Sequence, residues 1–492
     1  MDEVKKTKEL ANNLLSRGEP LEAIKIYKKL IQIETDPHIL NNLAIAYKKI
    51  GQLKNAAKYM EQSVQINRNA DSLHNLANIY YTDGKISNAI TCCQNSIEEN
   101  PANINGYLLL TEIFNETGQC DVALKIINLA RRVTESAEVL TTLGNVQRQM
   151  KEYEEALKTY KASYNLQPNE GAALNIAIIS QRLGMRAYAE KYFKKSIEMN
   201  QENIHAHVGF GNFLIENKRY NEAISVFKQI DTPLSRARSM ECLWEEKQYS
   251  ELLTKIISEK NTSAPNVRVA AFSAFVSEQL NITDPYEWVK DPLAKVLVTR
   301  IDRDMQKTNQ VISRILTEIE KIPKEWEPES KTTKIGYQTI GNIFKTDGIE
   351  LGKLKIIIIE KIKSYIELYF TADDRWYDYI QVEENNLTGW CVSLSTGGHQ
   401  ENHIHASAIL SGVLYLKIPE GMIGDEGAIE FNTYGYEYFT KIKTNLKKFT
   451  VSPKAGDIVI FPSSLFHKTI PTEKDSKRVS IAFDLLLNRI SN

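Results

Sequence analysis

The chain has 492 residues, more than one hydrophobic core accommodates, so at least two domains are expected. Lys plus Arg total 61 against 62 for Asp plus Glu, a formal net charge of -1 that excludes a whole-protein field for gripping nucleic acid or anionic membrane. The five cysteines, at 92, 93, 120, 242 and 391, show no CxxC spacing and read as reduced thiols rather than a disulfide framework. The opening "MDEVKKTKEL" lacks the apolar core of a signal peptide, and the most apolar run, "LKIIIIEKI", is too short and charge-flanked to span a bilayer. A cytoplasmic, soluble protein is expected.

Alanine recurs at Ala23, Ala56, Ala89, Ala123, Ala156, Ala189 and Ala223, in steps of 33 or 34 residues. Five positions before most of them stands a glycine: Gly18, Gly51, Gly84, Gly118, Gly184. Segments such as "LNNLAIAYKKIGQLKNAAKYMEQSVQIN" place apolar residues at helical spacing on both sides of that glycine. Each unit is therefore expected to be a helical hairpin whose apolar faces its neighbours cover. Seven units read this way, and "CLWEEKQYSELLTKI" reads as a divergent eighth that caps the stack.

The period, with Leu43–Ala44–Tyr47 and Leu76–Ala77–Tyr80 followed by Ala56 and Ala89, resembles the tetratricopeptide repeat. Pro101 and Pro168 sit where that repeat closes its second helix. The resemblance implies an all-α solenoid over residues 1–258, followed by a linker or capping helix over 259–285. It also implies a concave groove lined by the first helix of each unit. At two groove positions the chain carries Asn42, Asn75 and Asn175, and Asn12, Asn78, Asn145 and Asn212. Amides both donate and accept, so such a ladder suits the extended backbone of a protein or peptide partner. The competing reading is solvation of an exposed helix face.

Beyond "SEKNTSAPN" the period is lost. "DPYEWVKDPLAKVLVTRID" introduces a β-rich run, while "MQKTNQVISRILTEIEKI" and "GIELGKLKIIIIEKIKSYIELYF" read as helices. From 375 onward come strand-like runs: "YDYIQVE", "GWCVSLST", "ILSGVLYLKIP", "GAIEF", "KKFTVSP", "DIVIFP", "FHKTIP" and "RVSIAFDLLL". Strands of this number with supporting helices suggest a double-stranded β-helix (jelly roll) or a barrel over 286–492. The fold class expected is thus multidomain: an α solenoid followed by a jelly roll.

The chain holds eight histidines, and three of them, His399, His403 and His405, fall within "GGHQENHIHASAILSGVLYLKIP". On a strand His403 and His405 project from one face. His467 follows in "FPSSLFHKT", and "RVSIAF" puts Arg478 and Ser480 on one face by the same period. This H-x-ligand pair, distant third histidine and downstream Arg-x-Ser resemble the Fe(II)/2-oxoglutarate-dependent oxygenases. The surrounding "TGGHQENHIHASAILSGVLYLKIPEG", "AGDIVIFPSSLFHKTIP" and "GYQTIGNIF" are similar to a subfamily of them, some fused to tetratricopeptide repeats.

The resemblance implies that His403, His405 and His467 hold Fe(II) on one face, leaving positions for 2-oxoglutarate and O2. It gives Arg478 and Ser480 the remote carboxylate of 2-oxoglutarate. Tyr415 and Asn342 are expected to line the cosubstrate pocket, as is Trp390, with core packing the alternative for each. One departure stands out: most of the superfamily carries HxD or HxE, and this chain has HxH. His405 either ligates directly or sits behind a water that takes its place. His399, after Gly397–Gly398, is expected in a loop near the mouth. Asp425, Glu426 and Glu430 read as loop solvation, and the lysines of "TKIKTNLKKF" as protection of a strand edge.

Functionally, the resemblance implies a dioxygenase, a hydroxylase of a protein or peptide substrate, that converts 2-oxoglutarate to succinate and CO₂. The alternative is a repeat-based interaction scaffold whose metal-binding jelly roll is catalytically divergent. A cupin-like metal enzyme without a keto acid is disfavoured by Arg478-x-Ser480.

Overall fold

The computed structural model describes residues 2–262, 265–302, 304–328, 331–371, 377–380, 382–436, 438–441, 446–473 and 477–487. The chain divides into two compact units, Met1–Met199 and Asn200–Asn492. The expected boundary at 258 runs through the second of them.

The first unit is a run of six helical hairpins, of which Pro37–Lys49 with Leu53–Ile66 and Ala70–Thr82 with Ile86–Glu99 are typical. The recurring alanines explain themselves by burial. Ala23, Ala56, Ala89, Ala123, Ala156 and Ala189 are all 0 % exposed, because each lies where helices approach too closely for a larger side chain. Overfilling such a position costs about 1–3 kcal/mol. A second periodic device ties the two helices of a hairpin together: Ser63, Ser96, Ser163 and Ser196 donate to the carbonyls of Pro37, Ala70, Ala137 and Glu170, each 26 residues earlier. Gly51 turns the chain with φ of 75°, a left-handed value. Lys151 occupies the same place in its hairpin at φ 63°, so the turn tolerates a side chain there at some cost.

The second unit begins with more helices: Ile204–Glu216 with Tyr220–Phe227, Pro233–Glu245 with Tyr249–Lys260, and Val267–Leu280. The seventh repeat and the divergent eighth therefore take the expected hairpin form, and Ala223 is again 0 % exposed.

Ten strands follow among the described residues: β1 (Leu297–Arg300), β2 (Lys324–Trp326), β3 (Thr333–Thr339), β4 (Leu387–Gln400), β5 (Ala408–Lys417), β6 (Ile429–Asn432), β7 (Lys448–Val451), β8 (Asp457–Pro462), β9 (Phe466–Thr469) and β10 (Arg478–Leu486). They form an antiparallel seven-stranded sheet, β1-β8-β5-β10-β4-β3-β2, and a three-stranded one, β7-β6-β9. Side chains of both sheets meet in one core: Val413, Tyr415, Val459 and Phe461 from the larger, Ile429, Phe431 and Val451 from the smaller. That is the jelly-roll arrangement. Helices Met305–Ile319 and Ile349–Tyr369 precede β4 as expected.

Two expectations need correction. "YDYIQVE" is not a strand. Its described residues include a 3₁₀ turn at Tyr377–Tyr379, and residue 381 lies outside the described residues. Conversely, β2 and β3 extend the large sheet from a stretch that carried no clear strand period. Strand β3 is broken by a register shift between Lys334 and Gly336, where Ile335 takes φ of 50°. That bulge destroys the alternation on which strand recognition depends.

The helices of the second unit hold the segment after β6. Trp244 Nε1 donates to the Phe439 carbonyl at 2.8 Å, and the Tyr438 hydroxyl donates to Glu241 at 2.9 Å. Glu241 is buried and takes a two-pronged ion pair from Arg268 at 2.6 and 3.1 Å. From this anchored segment the Gly435 carbonyl accepts from Asn402, and Asn432 donates to Asn402 at 2.9 Å. The residue before His403 is thus clamped. Of the lysines in "TKIKTNLKKF", Lys448 lies on the edge strand β7, whereas Lys443 lies outside the described residues.

Candidate metal centre

His403 does not sit on a regular strand, as the HxH spacing suggested. It forms an isolated bridge to His467 on β9, with reciprocal backbone hydrogen bonds of 3.0 Å. His405 follows, its backbone N–H donating to the Ser463 carbonyl at 3.2 Å. The bridge, rather than strand period, brings the three rings to one place. Ligand atoms of His403, His405 and His467 lie within 4.8 Å of one another, a grouping that one ion can draw together.

Each ring has one nitrogen already engaged. His403 Nδ1 meets the Glu401 carbonyl at 2.7 Å, and His467 Nδ1 meets the Leu465 carbonyl at 3.1 Å. His405 Nδ1 meets Asp484 Oδ1 at 2.5 Å. These acceptors place a proton on Nδ1, which leaves Nε2 as the nitrogen each ring can turn to a metal. Three neutral imidazoles are a donor set suited to ferrous iron. The residues present fit the metal.

The electrostatics agree. Burial, then the neighbouring His405, holds His403 down to about 3. Burial pushes His467 well below the usual imidazole range, with His403 and His405 adding to it. Both rings are therefore neutral in the folded protein and regain an ordinary value near 6.5 on unfolding. Between those values the unfolded chain binds more protons. Stability is thus full above about pH 6.5 and falls as pH drops below it. Urea unfolding of metal-free protein from pH 7 to 4 is expected to show this slope, reduced in His403→Gln. An identical slope in the variant would refute it.

The cosubstrate residues fall into two groups. Arg478 and Ser480 lie on β10, both buried, and Ser480 pairs directly with Tyr415 of β5. The Arg478 guanidinium lies 4.9 Å from the Tyr415 ring centre, and its Nε donates to the Gly427 carbonyl at 3.1 Å. Among the described residues, neither Arg478 Nη1 nor the Tyr415 hydroxyl finds a hydrogen-bond partner. Among the described residues no ion pair neutralises Arg478, a costly state for a buried cation, and burial lowers its pKa. Burial pushes the Tyr415 hydroxyl up to about 12, so it stays a donor. Unpartnered donors around a guanidinium fork fit a small carboxylate, the remote end of 2-oxoglutarate. Tyr415 also shares the inter-sheet core with Phe461, whose ring lies 4.7 Å from His467, so arginine and histidines border the same interior.

Asn342 belongs elsewhere. Its Oδ1 accepts from the Phe344 and Gly389 N–H groups, each at 3.0 Å, and its Nδ2 donates to the Leu387 carbonyl at 3.1 Å. It staples a turn to β4, an architectural role that accounts for these bonds. His399 is half-buried, bonds the Gly397 carbonyl at 3.1 Å and stays outside the trio. Trp390 stands 5.5 Å from His405, ring to ring. Glu430 carries ion pairs with Lys448 and Lys468 at 3.3 and 3.2 Å.

The repeat asparagines are less free than an open ladder. Asn12 Oδ1 accepts from Tyr27 at 2.6 Å and from Asn42 at 2.9 Å, and Asn75 donates to Asn41 at 3.0 Å. Asn78 accepts from Lys48, and Asn145 accepts from Tyr160 at 2.7 Å. Several of these bonds link one repeat to the next. Asn175 and Asn212 are half-buried, and Asn212 Oδ1 has no partner among the described residues.

Sequence reasoning missed Asp484. It is buried on β10, directly opposite Ser411 of β5, whose hydroxyl donates to it at 2.6 Å. A period-two count from Arg478 through Ser480 reaches it, and a carboxylate inside "SIAFDLLL" was the available signal.

Comparison with known proteins agrees with these observations. Residues 388–484 match the family described as "Putative 2OG-Fe(II) oxygenase", and residues 37–69, 70–103 and 137–170 match the tetratricopeptide repeat. No curated protein matches the chain. Similar solved structures include a thermophilic tetratricopeptide-repeat protein of Thermus thermophilus, 18 % identical, covering 36 % of this chain and 99 % of its own, with a TM-score of 0.33. Another is a tetratricopeptide repeat protein from Parabacteroides merdae, 15 % identical, covering 52 % of this chain and 99 % of its own, with a TM-score of 0.40. Among the described residues, no helix is long and apolar enough to cross a membrane. The chain thus joins tetratricopeptide repeats to a domain that matches the family described as "Putative 2OG-Fe(II) oxygenase".

Proposed function

We propose that the chain is an Fe(II)- and 2-oxoglutarate-dependent dioxygenase of the cytoplasm that hydroxylates a protein or peptide recruited by its repeats. The observation that carries this reading is a three-histidine cluster and a buried guanidinium whose Nη1 has no partner among the described residues, both bordering one jelly-roll interior. Fe(II), 2-oxoglutarate and O2 supply the oxidising chemistry, and the protein supplies placement. His403, His405 and His467 hold the metal through Nε2, each oriented by its Nδ1 acceptor. Arg478 takes the distal carboxylate of the keto acid, with Ser480 and the Tyr415 hydroxyl beside it. The apolar walls from Phe431 and Phe461 keep bulk water from the reacting centre.

The testing experiment is succinate formation from 2-oxoglutarate with Fe(II), with and without candidate peptides. Peptide-stimulated succinate, with a gain of one oxygen atom in the peptide, is the expected result. The protein lacking residues 1–199 is expected to keep basal succinate formation and lose the peptide stimulation, since the second unit has its own core. Binding of 2-oxoglutarate with no succinate under any condition would favour the interaction-scaffold reading, to which the HxH departure lends weight.

A further inference from the structure

The HxH site lacks the carboxylate that HxD and HxE sites place on the metal, and the structure has a carboxylate one bond behind it. We infer that Asp484 is a positioning residue that supplies the missing anionic character to the metal through His405. This rests on the metal-site reading above and extends it to a residue outside the H-x-H…H and R-x-S motifs.

Several observations converge on Asp484. Its Oδ1 lies 2.5 Å from His405 Nδ1, which selects the tautomer with the lone pair on Nε2. The same oxygen accepts from the Ser411 hydroxyl at 2.6 Å, and Ser411 lies 2.7 Å from the Ser463 hydroxyl. The Ser463 carbonyl in turn accepts the His405 backbone N–H at 3.2 Å. His405 is therefore held at ring and backbone by one buried serine–aspartate network. Of the three histidines only His405 leans on a carboxylate; His403 and His467 lean on carbonyls. Asp484, Ser411 and Ser463 are each 5 % exposed or less, so the pair is screened little by water.

A structural alternative would make Asp484 only the buried partner of Ser411. The two roles separate when the carboxylate is moved. Metal affinity of the full chain is measured with Co(II), whose visible bands report the ligand field, on wild type, Asp484→Asn, His405→Asp and the double variant. With His405 in place, Asp484→Asn is expected to weaken Co(II) binding by about 10–100-fold and to shift the bands. His405→Asp alone brings two carboxylates together and binds poorly or needs a proton to fold. Adding Asp484→Asn to His405→Asp is expected to restore binding, since the carboxylate then stands on the metal itself. Equal losses from Asp484→Asn in both backgrounds would overturn the inference.

Where Asp484→Asn fails to fold, Ser411→Ala reads the same dependence. It removes one anchor of the carboxylate and leaves its charge, and a loss of roughly two- to tenfold is expected. Wild-type affinity and spectrum in Ser411→Ala would then overturn the inference. Failure of wild type itself to bind Co(II) or Fe(II) refutes the metal-site reading, whereas wild-type binding lost in His403→Ala but kept in Asp484→Asn refutes only the role of Asp484.

Discussion

His467→Ala and His403→Ala are each expected to weaken Fe(II) binding by more than about a hundredfold, beyond the 10–100-fold that outer partners of a metal site command. His467 packs beside the rings of Phe461 and Phe431, at 4.7 and 6.2 Å, on a short strand paired to β6. Its position is set by this packing and by its strand pairing. His403 is fixed by reciprocal backbone bonds to the same residue. Truncating either ring also opens a cavity that costs about 2–4 kcal/mol, so melting of the metal-free variants must accompany the titration. Iron retained at one per chain in the folded double variant would sink the assignment. His405→Ala is expected to fall between these and wild type, because water can enter beside the freed Asp484.

The sequence carried the solenoid because its signal repeats. The same alanine is 0 % exposed in hairpin after hairpin, and a pattern sampled seven times survives local exceptions such as Lys151 in place of glycine. The metal trio was legible for a different reason: histidine is scarce in this chain, so a cluster at family spacing stands out. Its geometry was less so. Period two put His403 and His405 on a strand, but an isolated bridge to His467 does the work, and bridges leave no periodic trace.

Buried polar networks were the least legible layer. Asn342 looked like a pocket residue because its motif resembled the family's, yet its bonds go to the backbone of Phe344, Leu387 and Gly389. The repeat asparagines looked free, yet Asn12 with Asn42 and Asn75 with Asn41 cross from repeat to repeat. A peptide in the groove would compete for groups already engaged, and substituting them would loosen the stack as well. Asp484 and Ser411 are far apart in sequence and become one unit only through the β10–β5 register.

Arg478→Ala is expected to raise the apparent Michaelis constant for 2-oxoglutarate steeply while leaving Fe(II) affinity near wild type. Loss of a buried charge pair costs about 2–5 kcal/mol, which corresponds to roughly thirtyfold to several thousandfold. The sharper signature lies in stability. In the free protein Arg478 is a buried cation with Nη1 unpartnered among the described residues, facing the Tyr415 ring rather than a carboxylate. Burying such a charge costs free energy that a ligand carboxylate would offset. Removing the side chain therefore takes away that penalty, against the loss of its packing over Tyr415 and its bond to the Gly427 carbonyl. The variant is expected to melt close to wild type when 2-oxoglutarate is absent. In wild type, 2-oxoglutarate at a hundred times its dissociation constant adds about 2.7 kcal/mol of stability. That increment is expected to vanish in Arg478→Ala and to return only in part in Arg478→Lys, which keeps the charge but loses the planar fork. A full stabilising response to 2-oxoglutarate in Arg478→Ala would move the carboxylate anchor to another residue.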